Sequence, residues 1–214
     1  MSEKEEAKKD CGHHGRRKHK WLRRFFVGFL VVGFIVLLVF LITWAVLQPK
    51  KPQFSLQDAT IFSFNLTAPN VLSSILQVTI NSHNPNDHIG VYYDSLDVYV
   101  VYRDQQITYP TSIPTSFQDT GNTDIWSPFV YGDSVPIAPM TGASLTSDES
   151  SGTVHLHVEM DGKVRWKVGA FTSGLYRIHV DCPAWINTGS PTVGVVVPNH
   201  GIKYQIGFGC SVSV

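Results

Sequence analysis

No catalytic signature runs through these 214 residues. A Gly-x-Ser-x-Gly elbow, a phosphate-binding loop and a His-Glu-x-x-His helix are all missing, which removes the commonest hydrolase, nucleotide-binding and zinc-protease chemistries. Net charge is missing as well: 17 Lys and Arg meet 17 Asp and Glu. The neutrality is a cancellation of two unlike parts. Residues 1–24 carry nine Lys/Arg against four Asp/Glu, and the chain from Lys50 onward carries eight against thirteen. Cysteine is scarce, one residue (Cys11) before the only long apolar run and two (Cys182, Cys210) after it. Outside that run no stretch shows helical periodicity, which argues against a helical bundle.

What is present begins with the run itself. Phe25 to Leu47 reads FFVGFLVVGFIVLLVFLITWAVL, without a charge, an Asn, a Gln or a Pro. As a helix it is roughly 35 Å long, enough for a hydrocarbon core with some tilt. A core helix of a soluble domain carries a polar stripe, and this one is apolar all round. A cleaved secretory signal has a shorter apolar region followed by a small-x-small site. Here Gln48-Pro49-Lys50-Lys51-Pro52 follows instead, so residues 25–47 read as an uncleaved signal-anchor.

Arg16, Arg17, Lys18, Lys20, Arg23 and Arg24 precede the span with no acid among them, whereas only Lys50 and Lys51 follow closely. The positive-inside rule then keeps residues 1–24 in the cytosol and exports the rest of a single-pass chain. Trp21 and Trp44 fall near the two headgroup levels. The basic tail suits anionic lipid, at about 1 kcal/mol per nearby cation. Beside a span, Arg16-Arg17-Lys18-His19-Lys20 is a topogenic cluster, not a nuclear or nucleic-acid patch. Residues 1–15 are polar and predicted to be disordered; His13, His14 and His19 read as solvated, and Cys11 lies too far from the span for ready acylation. Residues 48–53, with two prolines, read as a short stiff linker.

From Phe54 to Val214 the pattern turns to period two. Phe62, Phe64 and Leu66 alternate with polar residues, as do Leu76, Val78 and Ile80, then Leu96, Val98, Val100 and Tyr102. The last segment alternates from Ile202 through Tyr204, Ile206, Phe208, Cys210 and Val212 to Val214. Half-buried antiparallel strands produce this pattern. Seven or more of them in one 161-residue domain predict a mainly β fold, a two-sheet antiparallel β-sandwich behind the single N-terminal helix.

One hairpin is predicted in register. Val154–Glu159 and Lys163–Val168 flank Met160-Asp161-Gly162. A three-residue loop with Gly162 in the left-handed conformation pairs Val158 with Val164, Leu156 with Trp166 and Val154 with Val168, keeping apolar faces together. His155 and His157 share one face of that strand, with His179 as a conceivable third zinc ligand. The same register places Arg165 and Lys167 opposite them, which disfavours a cation, so no metal site is assigned. Cys182 lies three residues from His179, on the opposite face of a strand, so the two form no local nucleophile pair. Asp87, Asp94 and Asp104 fall singly near turns and strand ends. No catalytic residue and no cofactor is expected.

Two modification sites follow from an exported domain. Asn65-Leu66-Thr67 is the only sequon there, and the alternation turns Asn65 to solvent. Cys182 and Cys210 both belong to inward-facing sets. They are either a disulfide, worth roughly 3 kcal/mol for such a loop, or two buried thiols packed as small hydrophobes.

Asn84-Pro85-Asn86, Ile89-Gly90-Val91-Tyr92-Tyr93-Asp94, Trp126-Ser127-Pro128-Phe129, Asp161-Gly162-Lys163-Val164-Arg165-Trp166-Lys167 and Cys210-Ser211-Val212 together resemble a plant family. It is that of the harpin-induced-like, non-race-specific disease-resistance-like proteins, which carry a group-2 late-embryogenesis-abundant domain. The resemblance runs from the linker to Val214 and includes the short tail and single span. It implies a plasma-membrane protein of plant defence and the hypersensitive response, with a fibronectin type III-like sandwich. Some relatives end in a lipid-anchor signal; the half-polar last strand here does not. Read physically, Asn84-Pro85-Asn86 is a turn, Trp126 and Trp166 are core, and Tyr92 and Tyr93 point to opposite faces. Two functions fit: a tethered binding or signalling module that meets an unidentified protein partner, or a stress-protective link between membrane and cell wall.

Overall fold

The computed structural model describes residues 14–46, 49–67, 69–187, 195–197 and 201–214. Two compact units divide at Gln48/Pro49. The first is helix α1 (His14–Val46), which contains a 20-residue stretch, Arg23–Ile42, long and apolar enough to cross a membrane. The helix starts within the basic segment, so Arg16 to Lys20 are helical. Disorder is predicted over residues 1–15, but His14 and Gly15 already belong to α1; residues 1–13, with Cys11 and His13, lie outside the described residues.

The second unit is mainly β. Its first sheet runs, in spatial order, through β12 (Val195–Val197), β13 (Gly201–Gly209), β1 (Gln53–Thr67), β2 (Val71–His83) and β7 (Thr123–Trp126), with β8 (Phe129–Pro136) continuing along the same edge of β2. The second sheet runs through β14 (Ser211–Ser213), β11 (Tyr176–Asn187), β9 (Thr153–Val168), β3 (Gly90–Tyr102) and β4 (Gln105–Gln106). Three short strands finish it: β5 (Thr111–Ile113) and β6 (Ser116–Gln118) on β3, and β10 (Phe171–Thr172) folded back on β9. Ladder after ladder is antiparallel, as the alternation requires. Leu56, Leu76, Val78 and Ile80 of the first sheet are buried in one core with Leu96, Val98, Val100, Leu156, Val158, Met160, Ile178 and Val180 of the second. Each such side chain contributes about 1.5–3 kcal/mol of burial, an upper bound because the unfolded chain is itself compact.

The predicted hairpin is not there. Val154 to Val168 is one uninterrupted strand, flanked by β3 on one side and β11 on the other. Met160, Asp161 and Gly162 pair with Val98, Asp97 and Leu96, and with Val180, His179 and Ile178. Asp-Gly suggested a turn, but the glycine is needed for proximity: a Cβ on Gly162 would lie 2.1 Å from the Ser95 carbonyl oxygen. Three further expectations are corrected. A bulge in β1 between Ile61 and Ser63 parts Phe62 from Phe64, so Phe62 lies against Phe129 (ring centroids 5.7 Å apart) while Phe64 packs on the core. The last alternating run is two strands, and the chain changes sheets at Cys210. A second helix, α2 (Pro139–Ser151), precedes β9. Only Gly142 and Leu145 of it are buried, so it carries no apolar period; its signals are Pro139 in the first turn and Gly152 (φ 84°) closing it.

Strand directions give the domain two ends. The chain enters beside the start of β1, where Gln53 pairs with His83 and, in the other sheet, Gly90 pairs with Lys167. This is the near end. Thr153 pairs with Asn187, and Val101 with His157, at the far end.

Candidate functional site

The family-like motifs divide by the direction in which their side chains point. Those facing inward build the near end. Asn84 and Asn86 are buried: the Asn84 side-chain amide donates to the Ile89 carbonyl at 2.8 Å, and the Asn86 amide clasps Lys50 through both its backbone groups, at 2.8 Å each. Tyr93 is buried with its hydroxyl 2.9 Å from Ser82 Oγ and 3.0 Å from Gln118 Oε1, and burial pushes its ionisation well above the ordinary phenol range. Trp126 meets the Tyr93 ring edge-on at 5.3 Å, and Trp166 is buried.

Those facing outward stand on the exposed face of the second sheet. Near its lower end Tyr92 and Phe117 pack with ring centroids 4.4 Å apart; Lys167 Nζ lies 4.9 Å from the Phe117 centroid. Arg165 lies over Tyr92 and holds Asp94 in a two-pronged pair at 2.5 and 2.6 Å. That hydrogen bond holds the Asp94 carboxyl below its usual range and raises the guanidinium. Tyr92 and Tyr93 do point to opposite faces.

Higher on the same face, His179 Nδ1 is 2.9 Å from Asp161 Oδ1, and the Tyr99 hydroxyl donates to Asp161 Oδ2 at 2.5 Å. At the far end lies a pocket of about 310 Å³, lined by Arg103, Asp104, Asp148, His155, His157, Glu159 and Asp181. His157 Nδ1 is 2.8 Å from Asp181 Oδ1. His155 stacks on the exposed Trp185 ring at 3.9 Å; its Nε2 is buried and makes no hydrogen bond among the described residues. Burial, then the neighbouring His157, lowers the His155 pKa and favours the neutral ring. Arg103 and Asp104 form the turn between β3 and β4 with φ of 48° and 62°, a left-handed pair more usual for Asn-Gly. Asp148 of α2 steadies that turn: it accepts from the Tyr102 hydroxyl at 2.6 Å and pairs with Arg103 at 3.2 Å. The Tyr102 hydroxyl is pushed up to about 12, first by burial and then by this carboxylate. Non-glycine residues held in strained backbone at a pocket rim are a mark of sites.

The structure does not gather the three histidines. His157 pairs with Pro183 and His179 with Asp161, four residues or about 13 Å apart along the strands. Across the β9–β11 ladder their neighbours are Pro183, Trp185 and Asp161, and His157 also faces Val101 of β3; Arg165 and Lys167 are opposite none of them. Among the described residues no group of three His, Cys, Asp or Glu is placed to hold a metal ion. Cys182 and Cys210 form a disulfide, with Cα atoms 4.3 Å apart. Asn65 is exposed on β1, opposite Ser73, beyond the point where β13 stops pairing with that strand. Reading the sequence missed Arg103, Asp148 and Trp185. The left-handed pair gives no signal without glycine, and Asp148 sits on the unforeseen helix.

The described residues thus form a mainly β, two-sheet domain in a chain that also carries a membrane-length helix, and the domain presents a polar, aromatic outer face. A family model described as Late embryogenesis abundant protein matches residues 79–183. The chain is 53% identical over 208 residues to NDR1/HIN1-like protein 1 of Arabidopsis thaliana, covering 96% of this chain and 100% of that one. It is 47% identical over 208 residues to NDR1/HIN1-like protein 12 (96% and 99% covered) and 39% identical over 191 residues to NDR1/HIN1-like protein 26 (85% and 86%), both from the same plant. This chain belongs to the NDR1/HIN1-like family. A crystal structure of a protein from Archaeoglobus fulgidus aligns at 6% identity and a TM-score of 0.33, over 64% of this chain and 99% of that one, too distant to add to the fold.

Proposed function

We propose that this chain is a membrane-anchored, non-enzymatic binding protein of plant defence and stress response. Residues 25–47 anchor it in the plasma membrane, the basic tail (1–24) lies on the cytosolic leaflet, and the domain from Phe54 to Val214 works outside the cell behind a short linker (48–53). The observation that carries the reading is the far-end pocket. Four carboxylates face one guanidinium there, and that guanidinium is already engaged by Asp148. A basic group of a protein partner suits such a pocket, and the stacked Trp185 beside it offers the kind of rigid aromatic anchor that carries interface energy. Proximity labelling from the outer domain in intact tissue tests this. A partner labelled by the parent should be lost with Asp104→Asn/Glu159→Gln at equal protein level; an unchanged labelled set means the pocket is not the contact.

Export also exposes Asn65 to the glycosylation machinery. The parent is expected to shift on a gel after glycosidase treatment, and Asn65→Gln to migrate like the treated parent. No shift would count against an exported domain or an accessible acceptor.

A further inference from the structure

We propose that the near end of the domain rests on the phospholipid headgroups of the membrane that holds α1, through a basic and aromatic patch on β9, β10 and β11. The inference rests on the anchor reading above. Three residues separate Val46, the end of α1, from Lys50, which Asn86 fixes to the domain. The four steps from Val46 to Lys50 span about 14 Å at most, so the chain's connectivity tethers the near end within that reach of the end of α1.

What that end presents matches a headgroup layer. Phe171 and Leu175, on the segment that folds back after β9, are 82% and 61% exposed. Neither belongs to the core cluster. Directly above them Lys163 and Arg177 face each other across the β9–β11 ladder, both exposed and neither in an ion pair among the described residues. Like charges placed opposite one another are destabilising unless something neutralises them. Lys167 continues the same face, as does Arg165, whose charge is already answered by Asp94. Cations over exposed apolar rings are the arrangement by which interfacial segments hold phosphate while burying hydrocarbon. Asp87 and Asp119 share the near end, but they stand on loops that join the two sheets, away from the β9–β11 side.

The test uses the full chain, with Cys11→Ser, reconstituted in phosphatidylcholine vesicles containing doxyl-labelled lipid. A polarity-sensitive dye is placed at Phe171→Cys or, as far-end control, at the exposed Met140→Cys. The dye at 171 should be quenched severalfold more than the dye at 140, and Lys163→Glu/Arg177→Glu should abolish most of that difference. Equal, weak quenching at both sites in vesicle-bound chain overturns the proposal. A chain that does not float with the vesicles overturns the anchor reading instead, and the lipid contact with it. An unchanged near-ultraviolet spectrum shows that the charge-reversed variant is folded.

Discussion

Gly162→Ala should lower stability by about 3 kcal/mol, which for a domain of this size is roughly 6–12 °C in melting temperature. The added Cβ lies 2.1 Å from the Ser95 carbonyl oxygen and 3.0 Å from the Leu96 Cα and Cδ1 atoms. Two of these three are backbone, so no rotamer change relieves the clash. β3 is already bulged there, its register shifting between Tyr93 and Ser95, and it cannot move away without breaking pairs on both sides. Gly162 is not among the glycines of positive φ. That separates this explanation from a turn: a left-handed glycine accepts Asn at small cost, whereas here Asn is as damaging as Ala. Thermal unfolding of the two variants decides it. If Gly162→Asn melts within a degree or two of the parent, the close-approach account is wrong.

Replacing Cys182 and Cys210 together by alanine should cost about 3 kcal/mol, from the entropy the bridge removes from the unfolded chain. The location sharpens the expectation. Cys182 is fully buried on β11, in the second sheet, and Cys210 stands where the chain leaves β13 of the first sheet for β14 of the second. Its N–H donates to the Phe54 carbonyl at 2.9 Å, so the bridge also ties β11 to the start of β1. Without it β14 keeps only a three-residue ladder. Hydrogen exchange in Ser211–Ser213 should therefore rise more than exchange in β9. Three alkylatable thiols in the denatured, non-reduced parent, instead of Cys11 alone, would sink the idea.

Much of the fold was legible because strand periodicity is a local signal. Leu76, Val78 and Ile80, and Leu96, Val98 and Val100, alternate cleanly and are buried as read. Two of the failures share one cause, which is that glycine and bulges carry meaning only through a neighbour. Asp161-Gly162 looks like a hairpin turn until β3 is seen against it, and Ile61 to Ser63 looks regular until β2 shows the slip. The candidate site was less legible. Tyr92, Asp94, Arg165 and Lys167 were visible as motif residues, but the far-end pocket is assembled from β3, α2, β9 and β11, and no spacing along the chain announces it.

The Asn86 clasp on Lys50 has a mechanical consequence. A wall or partner that pulls the far end outward, against an anchor at Lys50, loads β1 along its own axis between β2 and β13. Its ladder hydrogen bonds lie across the pull, so they resist together in shear and do not open one at a time like a zip. The two Asn86 hydrogen bonds take the load before the ladder does. Tension would thus release a few residues of extra tether first and leave the sheet whole, giving the domain a compliant first step ahead of a stiff body.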